Sequence, residues 1–319
     1  MNSEFDLIRR FFTRPAPQAV LGVGDDAALM EVAPGMELAV STDMLVAGTH
    51  FFPDADPEKL GWKTLAVNLS DMAAMGARPR WATLAMALPC ADEAWLTAFA
   101  TGFFACADKF GVDLIGGDTT RGPLNLSVTI FGEVERGKAL RRDGAKPGDD
   151  IWVSGRMGCA ALALNALQGE MMLDEKTLAA CRNALDSPQP QVILGLGLRS
   201  LATSAIDISD GLLADLGHIL ERSHVGAEIH FDALPTHPVV KLALADDLVR
   251  QCVLAGGDDY ELCFTAPVLQ REKIKALACD CDGLDLTRIG QITAESGLRV
   301  LDASGQPMPI AKGGYDHFA

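Results

Sequence analysis

Five short stretches of this chain carry one or two aspartates beside a glycine or a hydroxyl. They are Gly24-Asp25-Asp26, Ser41-Thr42-Asp43, Gly116-Gly117-Asp118-Thr119-Thr120, Asp207-Ile208-Ser209-Asp210-Gly211 and Gly256-Gly257-Asp258-Asp259, and Asp71 adds a sixth acidic position. Glycine permits close approach to the backbone, and a short aspartate holds a ligand near the main chain. Hard oxygen donors of this kind suit magnesium, which takes a few carboxylates together with waters and substrate phosphates. Taken singly, such a stretch is most often a solvated turn. Five in one chain are harder to dismiss. Aspartates crowded into one cleft repel one another and repel phosphate, and divalent cations resolve both conflicts by inverting the local charge. The pattern points to nucleotide or phosphate chemistry run through several metal ions. Arg121, Arg141 and Arg142 are the nearby groups able to clamp a phosphate.

Other chemistries lack their residues. No G-x-x-x-x-G-K-[ST] loop is present, and Gly22-Val23-Gly24 lacks the third glycine of a dinucleotide fingerprint. The protein-kinase motif set and the G-x-S-x-G elbow are absent as well. Neither H-E-x-x-H nor C-x-x-C occurs, which excludes the common zinc sites. With 43 acidic against 27 basic residues, the net charge of −16 repels nucleic acid and anionic lipid. Aromatics make up 6%, too few for a base-stacking surface. No nucleic-acid or membrane partner is expected. The eight cysteines are scattered, with only Cys279 and Cys281 close together, as in reduced cytoplasmic proteins. The first residues have early acids and no apolar stretch, so no signal peptide is read, and no apolar run approaches ~18 residues. The expected location is the cytoplasm.

The elements that must carry these acids alternate between strand and helix, predicting an α/β (α+β) fold. A length of 319 residues predicts two domains, 1–140 and 141–319, divided at the charged, turn-rich stretch 141–149. In the first, residues 3–12 read as an amphipathic helix and 37–42 as a strand ending at Ser41-Thr42-Asp43. A helix follows, capped by Asp56, opened by Pro57 and closed by Gly76, with Asn68 and Asp71 on one face. Residues 81–88 form a buried strand, Asp92 caps a helix ending near Gly111, and 112–115 is a strand running into a glycine loop at 116–123. A further strand covers 124–134. The second half predicts strands at 151–154, 204–208, 227–231 and 262–265. Its helices are predicted at 160–167, 175–185, 191–201 and 213–222.

These residues also carry a resemblance. Gly24 to Ala28, Ser41 to Phe51, Asn68 to Ala77, Gly116 to Pro123, Asp207 to Leu212, Gly256 to Phe264 and Gly314-Tyr315-Asp316-His317-Phe318 are similar, in order, to the motifs of the thiamine-monophosphate kinases. That family shares the aminoimidazole-ribonucleotide-synthetase-like fold, and the likeness covers essentially the whole chain. It implies an N-terminal α/β domain that binds ATP and metal and pairs with its twofold mate, and a C-terminal α/β domain. It implies transfer of the ATP γ-phosphoryl group to thiamine monophosphate, giving thiamine diphosphate and ADP. The metal residues it implies are Asp26, Ser41, Thr42, Asp43, Asp71, Asp118, Asp207 and Asp210, holding several magnesium ions. ATP contacts fall on Gly117, Asp118, Arg142 and Ser209, and contacts to the thiamine substrate on His50, Asp258 and Tyr315. Asp258 stands where the family pattern resembles glutamate, so the carboxylate is kept but shortened by one methylene.

The chemistry so read is direct: a phosphate oxygen of thiamine monophosphate, already anionic, attacks the γ-phosphorus in line, and no side chain serves as nucleophile or strong base. A selenophosphate-synthetase-like enzyme would need a reactive Cys or Sec near the N-terminus, yet no cysteine precedes Cys90. A silent nucleotide-binding scaffold would have lost some of Asp43, Asp71, Asp118 and Asp210, and all are present. Apolar strand material at 38–40, 81–88 and 126–130 exceeds what two helices need to cover, and with the resemblance it predicts a homodimer through the N-terminal half.

Overall fold

In the computed structural model, which describes residues 4–281, 283–309 and 313–315, the chain divides into two units. The first takes the residues up to Met72 and Ala77–Gly137, and the second takes Ala73–Gly76 and the chain from Lys138 onward.

In the first unit a single turn, α1 (Glu4–Leu7), continues as a π-helical turn at Ile8–Phe12, in place of one regular helix; Ser3 lies outside the described residues. Phe12 docks edge-on against Phe99, at 6.4 Å between ring centroids. Then come β1 (Met36–Val46), α2 (Pro57–Ala74), β2 (Arg78–Leu88), α3 (Glu93–Phe110), β3 (Asp113–Arg121) and β4 (Asn125–Glu135). The caps follow the sequence. Asp56 accepts the Glu58 and Lys59 N–H groups at 2.9 and 3.3 Å, Asp92 accepts those of Ala94 and Trp95, and Gly111 closes α3 in the left-handed conformation. The sheet runs β1-β4-β2-β3. Its parallel pair, β2 with β3, is joined by α3 as a crossover.

Two strands outrun their predicted ends. β1 continues four residues past Thr42, in register with β4 down to Val46 opposite Asn125. β3 runs through the predicted glycine loop to Arg121, because Gly116 to Arg121 pair with Thr83 to Leu88 of β2. Threonine favours strands, and the flanking glycines need only an accepting neighbour.

The second unit contains β5 (Asp150–Ser154), α4 (Cys159–Leu167), α5 (Glu175–Asp186), α6 (Val192–Leu198), β6 (Ser204–Asp207) and α7 (Leu212–Ser223). β7 (Gly226–His230), α8 (Pro238–Lys241), α9 (Asp247–Ala255), β8 (Leu262–Ala266), α10 (Arg271–Asp280), β9 (Leu286–Thr293) and β10 (Gly297–Leu301) complete it. The sheet order is β10-β7-β9-β5-β8-β6. β6 and β8 are antiparallel neighbours with Asp207 opposite Leu262. The loop leaving β6 therefore lies beside the loop entering β8. Beneath them an apolar core that includes Ile206, Leu212, Leu216, Ile219 and Cys263 fixes both strands and α7. Among the described residues no helix is long and apolar enough to cross a membrane.

Candidate active site

The acids of the first unit sit on two separate patches. On the first, the β1 pleat sends Ser41 and Asp43 to one face and Thr42 to the other. The Ser41 hydroxyl donates a short hydrogen bond to the Asp71 carboxylate of α2. The Asp43 N–H, at the open edge of the sheet, donates to the Asn68 side-chain oxygen at 3.2 Å. Asn68 is itself buried and donates to the Thr64 carbonyl at 3.1 Å. Asn68 and Asp71 thus both face β1, as their three-residue spacing requires. Past the end of β1, the Val46 N–H donates to His50 Nδ1 at 3.0 Å. That bond leaves the proton of the neutral imidazole on Nε2, which makes Nε2 a hydrogen-bond donor. Thr42, on the opposite face, pairs with the Thr129 hydroxyl at 2.9 Å.

The second patch is a cleft of ≈ 580 Å³ at the β3 edge, where Asp26 meets Gly117 and Asp118. Phe5, Ile8 and Phe12 give the cleft an apolar wall. Gly117 cannot be replaced without moving the sheet: it sits at φ +152, and a Cβ there would lie 1.9 Å from the Leu84 carbonyl oxygen. β1 and β3 are opposite edges of the four-stranded sheet. Three strand spacings, roughly 14 Å, therefore separate Asp43 from Asp118.

In the second unit, Asp207 ends β6 and is buried, while Ser209 and Asp210 lie half-buried in the turn before α7. The Asp258 N–H donates to the Ser209 carbonyl at 2.9 Å and the Tyr260 N–H to the Ile208 carbonyl at 2.8 Å. The Tyr315 N–H donates to the Asp210 carbonyl at 3.0 Å, leaving the Tyr315 side chain exposed. Asp207, Ser209, Asp210, Asp258 and Tyr315 are thereby drawn onto one loop cluster; Asp316, His317 and Phe318 of the last motif lie outside the described residues. Gly211 opens α7 at φ +115, where a Cβ would meet the Ala255 backbone at 2.6 Å. Asp258 and Tyr260 also take left-handed backbone, at φ 67 and 50. Arg142 is exposed. Its carbonyl accepts the Ser223 hydroxyl at 2.8 Å, and the neighbouring Arg141 carbonyl accepts the Ala205 N–H of β6.

Three further acids brace this cluster. Asp215 accepts the N–H groups of Ser209, Asp210 and Gly211 at 3.0, 3.0 and 3.1 Å. Burial pushes its carboxyl up to about 7 against those hydrogen bonds, and the Asp210 charge adds to the rise. Asp259 accepts the Gly158 N–H through both oxygens; burial holds it well above the usual carboxylate range, with Glu261 and Asp258 adding to the effect. Glu261 accepts the Ser154 hydroxyl, and burial pushes it up to about 8. Among the described residues no three His, Cys, Asp or Glu side chains converge on one point.

Residues 24–134 match the family described as AIR synthase related protein, N-terminal domain. The chain is 46% identical over 322 residues to the thiamine-monophosphate kinase of Salmonella typhimurium, covering 99% of this chain and 98% of that protein. It belongs to the thiamine-monophosphate kinase family. The crystal structure of thiamine-monophosphate kinase from Stenotrophomonas maltophilia K279a superposes with a TM-score of 0.85 at 51% identity, covering 92% of this chain and 93% of that one. A second structure, AaThiL complexed with AMPPCP and TMP, gives 0.78 at 30% identity, covering 98% and 96%.

For this family member, sequence reasoning found the acids but missed their supports. Asn68 entered only as a neighbour of Asp71, Asp259 and Glu261 only as members of a motif with no role given, and Asp215 not at all. A signal for Asp215 was present. Leu212, Asp215, Leu216 and Ile219 share one helical face, so an acid stands where the core needs an apolar residue.

Proposed function

We infer that the chain is an ATP-dependent thiamine-monophosphate kinase, transferring the γ-phosphoryl group to thiamine monophosphate to give thiamine diphosphate and ADP. The observation that carries this reading is likeness to thiamine-monophosphate kinases along the full chain, 46% identity over 99% of it. The AMPPCP and TMP bound by AaThiL fit it.

Asp26, Ser41, Asp43, Asp71, Asp118, Asp207 and Asp210 offer only carboxylate and hydroxyl oxygens, a donor set that suits a hard cation; the Thr42 hydroxyl, paired with Thr129 on the opposite face of β1, is not among those donors. Bound magnesium would neutralise the phosphates and stabilise charge on the transferring group. Gly117 and Asp118, Arg142 and Ser209 are assigned to ATP, and the apolar wall of Phe5, Ile8 and Phe12 fits the organic part of a nucleotide better than its phosphates. His50, Asp258 and Tyr315 are assigned to thiamine monophosphate. His50 donates from Nε2, which suits an acceptor atom on the substrate. The nucleophile is a phosphate oxygen that already carries charge, so these residues bind and align without removing a proton. Free cysteines throughout the chain accord with a reducing cytoplasm.

The enzyme is read as a homodimer through the N-terminal sheet. Leu38, Val40 and Met44 lie 41%, 54% and 53% exposed on the β1 face that carries Thr42, an apolar row that a twofold mate would cover. Light scattering is expected to give about twice the 33.8 kDa chain mass, and a fully active monomer would refute this assembly. The reaction is tested by coupled ADP release with thiamine monophosphate, free thiamine and no acceptor. Turnover is expected only with the phosphorylated acceptor. Comparable turnover of free thiamine would require a base to take a hydroxyl proton and would overturn the reading.

A further inference from the structure

Asp215 is an acid that the reaction as derived does not use. It lies 3% exposed, four residues into an otherwise apolar face of α7. An acid in the first turn of a helix commonly sits in solvent and accepts the N–H at the helix start. Gly211 alone would satisfy that role. Asp215 instead turns one oxygen, Oδ2, toward three consecutive N–H groups, and two of them, on Ser209 and Asp210, precede the helix. Ser209 and Asp210 are the residues assigned to ATP and metal. Their carbonyls hold the next layer, since that of Ser209 accepts the Asp258 N–H and that of Asp210 accepts the Tyr315 N–H. One buried oxygen therefore orders a turn on which four assigned site residues depend.

We propose that Asp215 is a positioning residue, whose carboxylate fixes the Ser209-Asp210-Gly211 backbone so that the Asp210 carboxylate and Ser209 hydroxyl are aimed at the magnesium–nucleotide substrate. A buried carboxylate is costly unless fully hydrogen-bonded, and here its bonds go to the loop that does the binding. Asparagine at 215 keeps the shape and one oxygen but loses the charge, so its bonds to the three N–H groups weaken. Alanine removes them altogether.

The inference rests on the kinase reading, and the experiment separates the two. Asp215→Asn, Asp210→Asn and the double variant are compared with the parent enzyme in kcat, in KM for ATP and in the magnesium concentration giving half-maximal rate. Nucleotide binding is also measured by calorimetry, using AMPPCP with and without magnesium. The expected result for Asp215→Asn is a folded protein by circular dichroism and a half-activating magnesium concentration raised severalfold. Magnesium-dependent AMPPCP binding should weaken by at least about tenfold, and the double variant should lose less than the product of the two single losses, because the part of the Asp215 effect that acts through the Asp210 carboxylate is already gone. Losses that multiply in the double variant, or an unchanged magnesium midpoint and AMPPCP affinity, would overturn the role. If Asp215→Asn fails to fold, Asp215→Glu, which keeps the charge on a longer arm, is read in the same way. A parent enzyme that leaves thiamine monophosphate untouched would refute the kinase reading, while AMPPCP binding would still test Asp215.

Discussion

The first and second units present their acids by opposite means. Ser41, Asp43 and Asp71 project from a regular strand and a regular helix, and one buried amide, Asn68, ties the two together. Ser209, Asp210 and Asp258 sit on irregular turns, two of whose residues are left-handed without being glycine. Those turns are held by the carboxylates of Asp215, which is buried, and of Asp259 and Glu261, which are half-buried. Hydrogen bonding within regular elements fixes the first patch almost without special residues. The loop cluster of the second unit needs acids with little solvent around them, because an irregular backbone has N–H groups that only side chains can satisfy.

The largest effect expected touches the acids of both units. Removing magnesium with EDTA should take turnover to background and weaken ATP binding measured by calorimetry; equal affinity with and without metal would break the shared multi-cation picture. Next, Asp43→Asn and Asp210→Asn should each cost at least about tenfold in rate with circular dichroism unchanged. A loss confined to one of them would remove the other from the proposed metal set.

The contrast then predicts a pH response from the second unit. Glu261 rises from its ordinary 4.5 to about 8. Between those values the folded carboxyl keeps a proton that the unfolded chain has lost, so stability falls as pH rises through the window. Denaturant midpoints should show this slope, and Glu261→Gln should flatten it in part, since the raised Asp215 and Asp259 carboxyls act in the same direction. The smallest effects belong to the first patch. Asn68→Leu strips the Asp43 N–H of its acceptor and Ser41→Ala strips Asp71 of a donor, and each should cost about 1 kcal/mol in urea unfolding.

This contrast also governs what the sequence disclosed. The caps at Asp56, Asp92 and Gly111 and the shared face of Asn68 and Asp71 are local and were legible. The pleat was not fully used, since Ser41-Thr42-Asp43 reads as one group until alternation separates Thr42 from its neighbours. The strand through Gly116 to Arg121 was hidden because glycine carries no strand signal, and only pairing with Thr83 to Leu88 makes it one. α9, α10, β9 and β10 passed unread in stretches without an acidic motif. The order of β1 and β3 at opposite edges is a tertiary fact that no local pattern encodes. The supports at Asp259 and Glu261 are tertiary as well, since each reaches a group far along the chain, on Gly158 and on Ser154; Asp215 is local, and its signal was an acid on an apolar helical face.

The left-handed backbone at Asp258 has a consequence for how far this enzyme can be improved. A side chain held there costs roughly 1–2 kcal/mol, and aspartate is among the residues that bear it best. Asp258→Gly would release that strain and is expected to raise the melting temperature while removing a carboxylate assigned to the substrate. Durability and turnover are set against each other at this one position, so selection for heat resistance alone should drift toward glycine there and select slower enzymes.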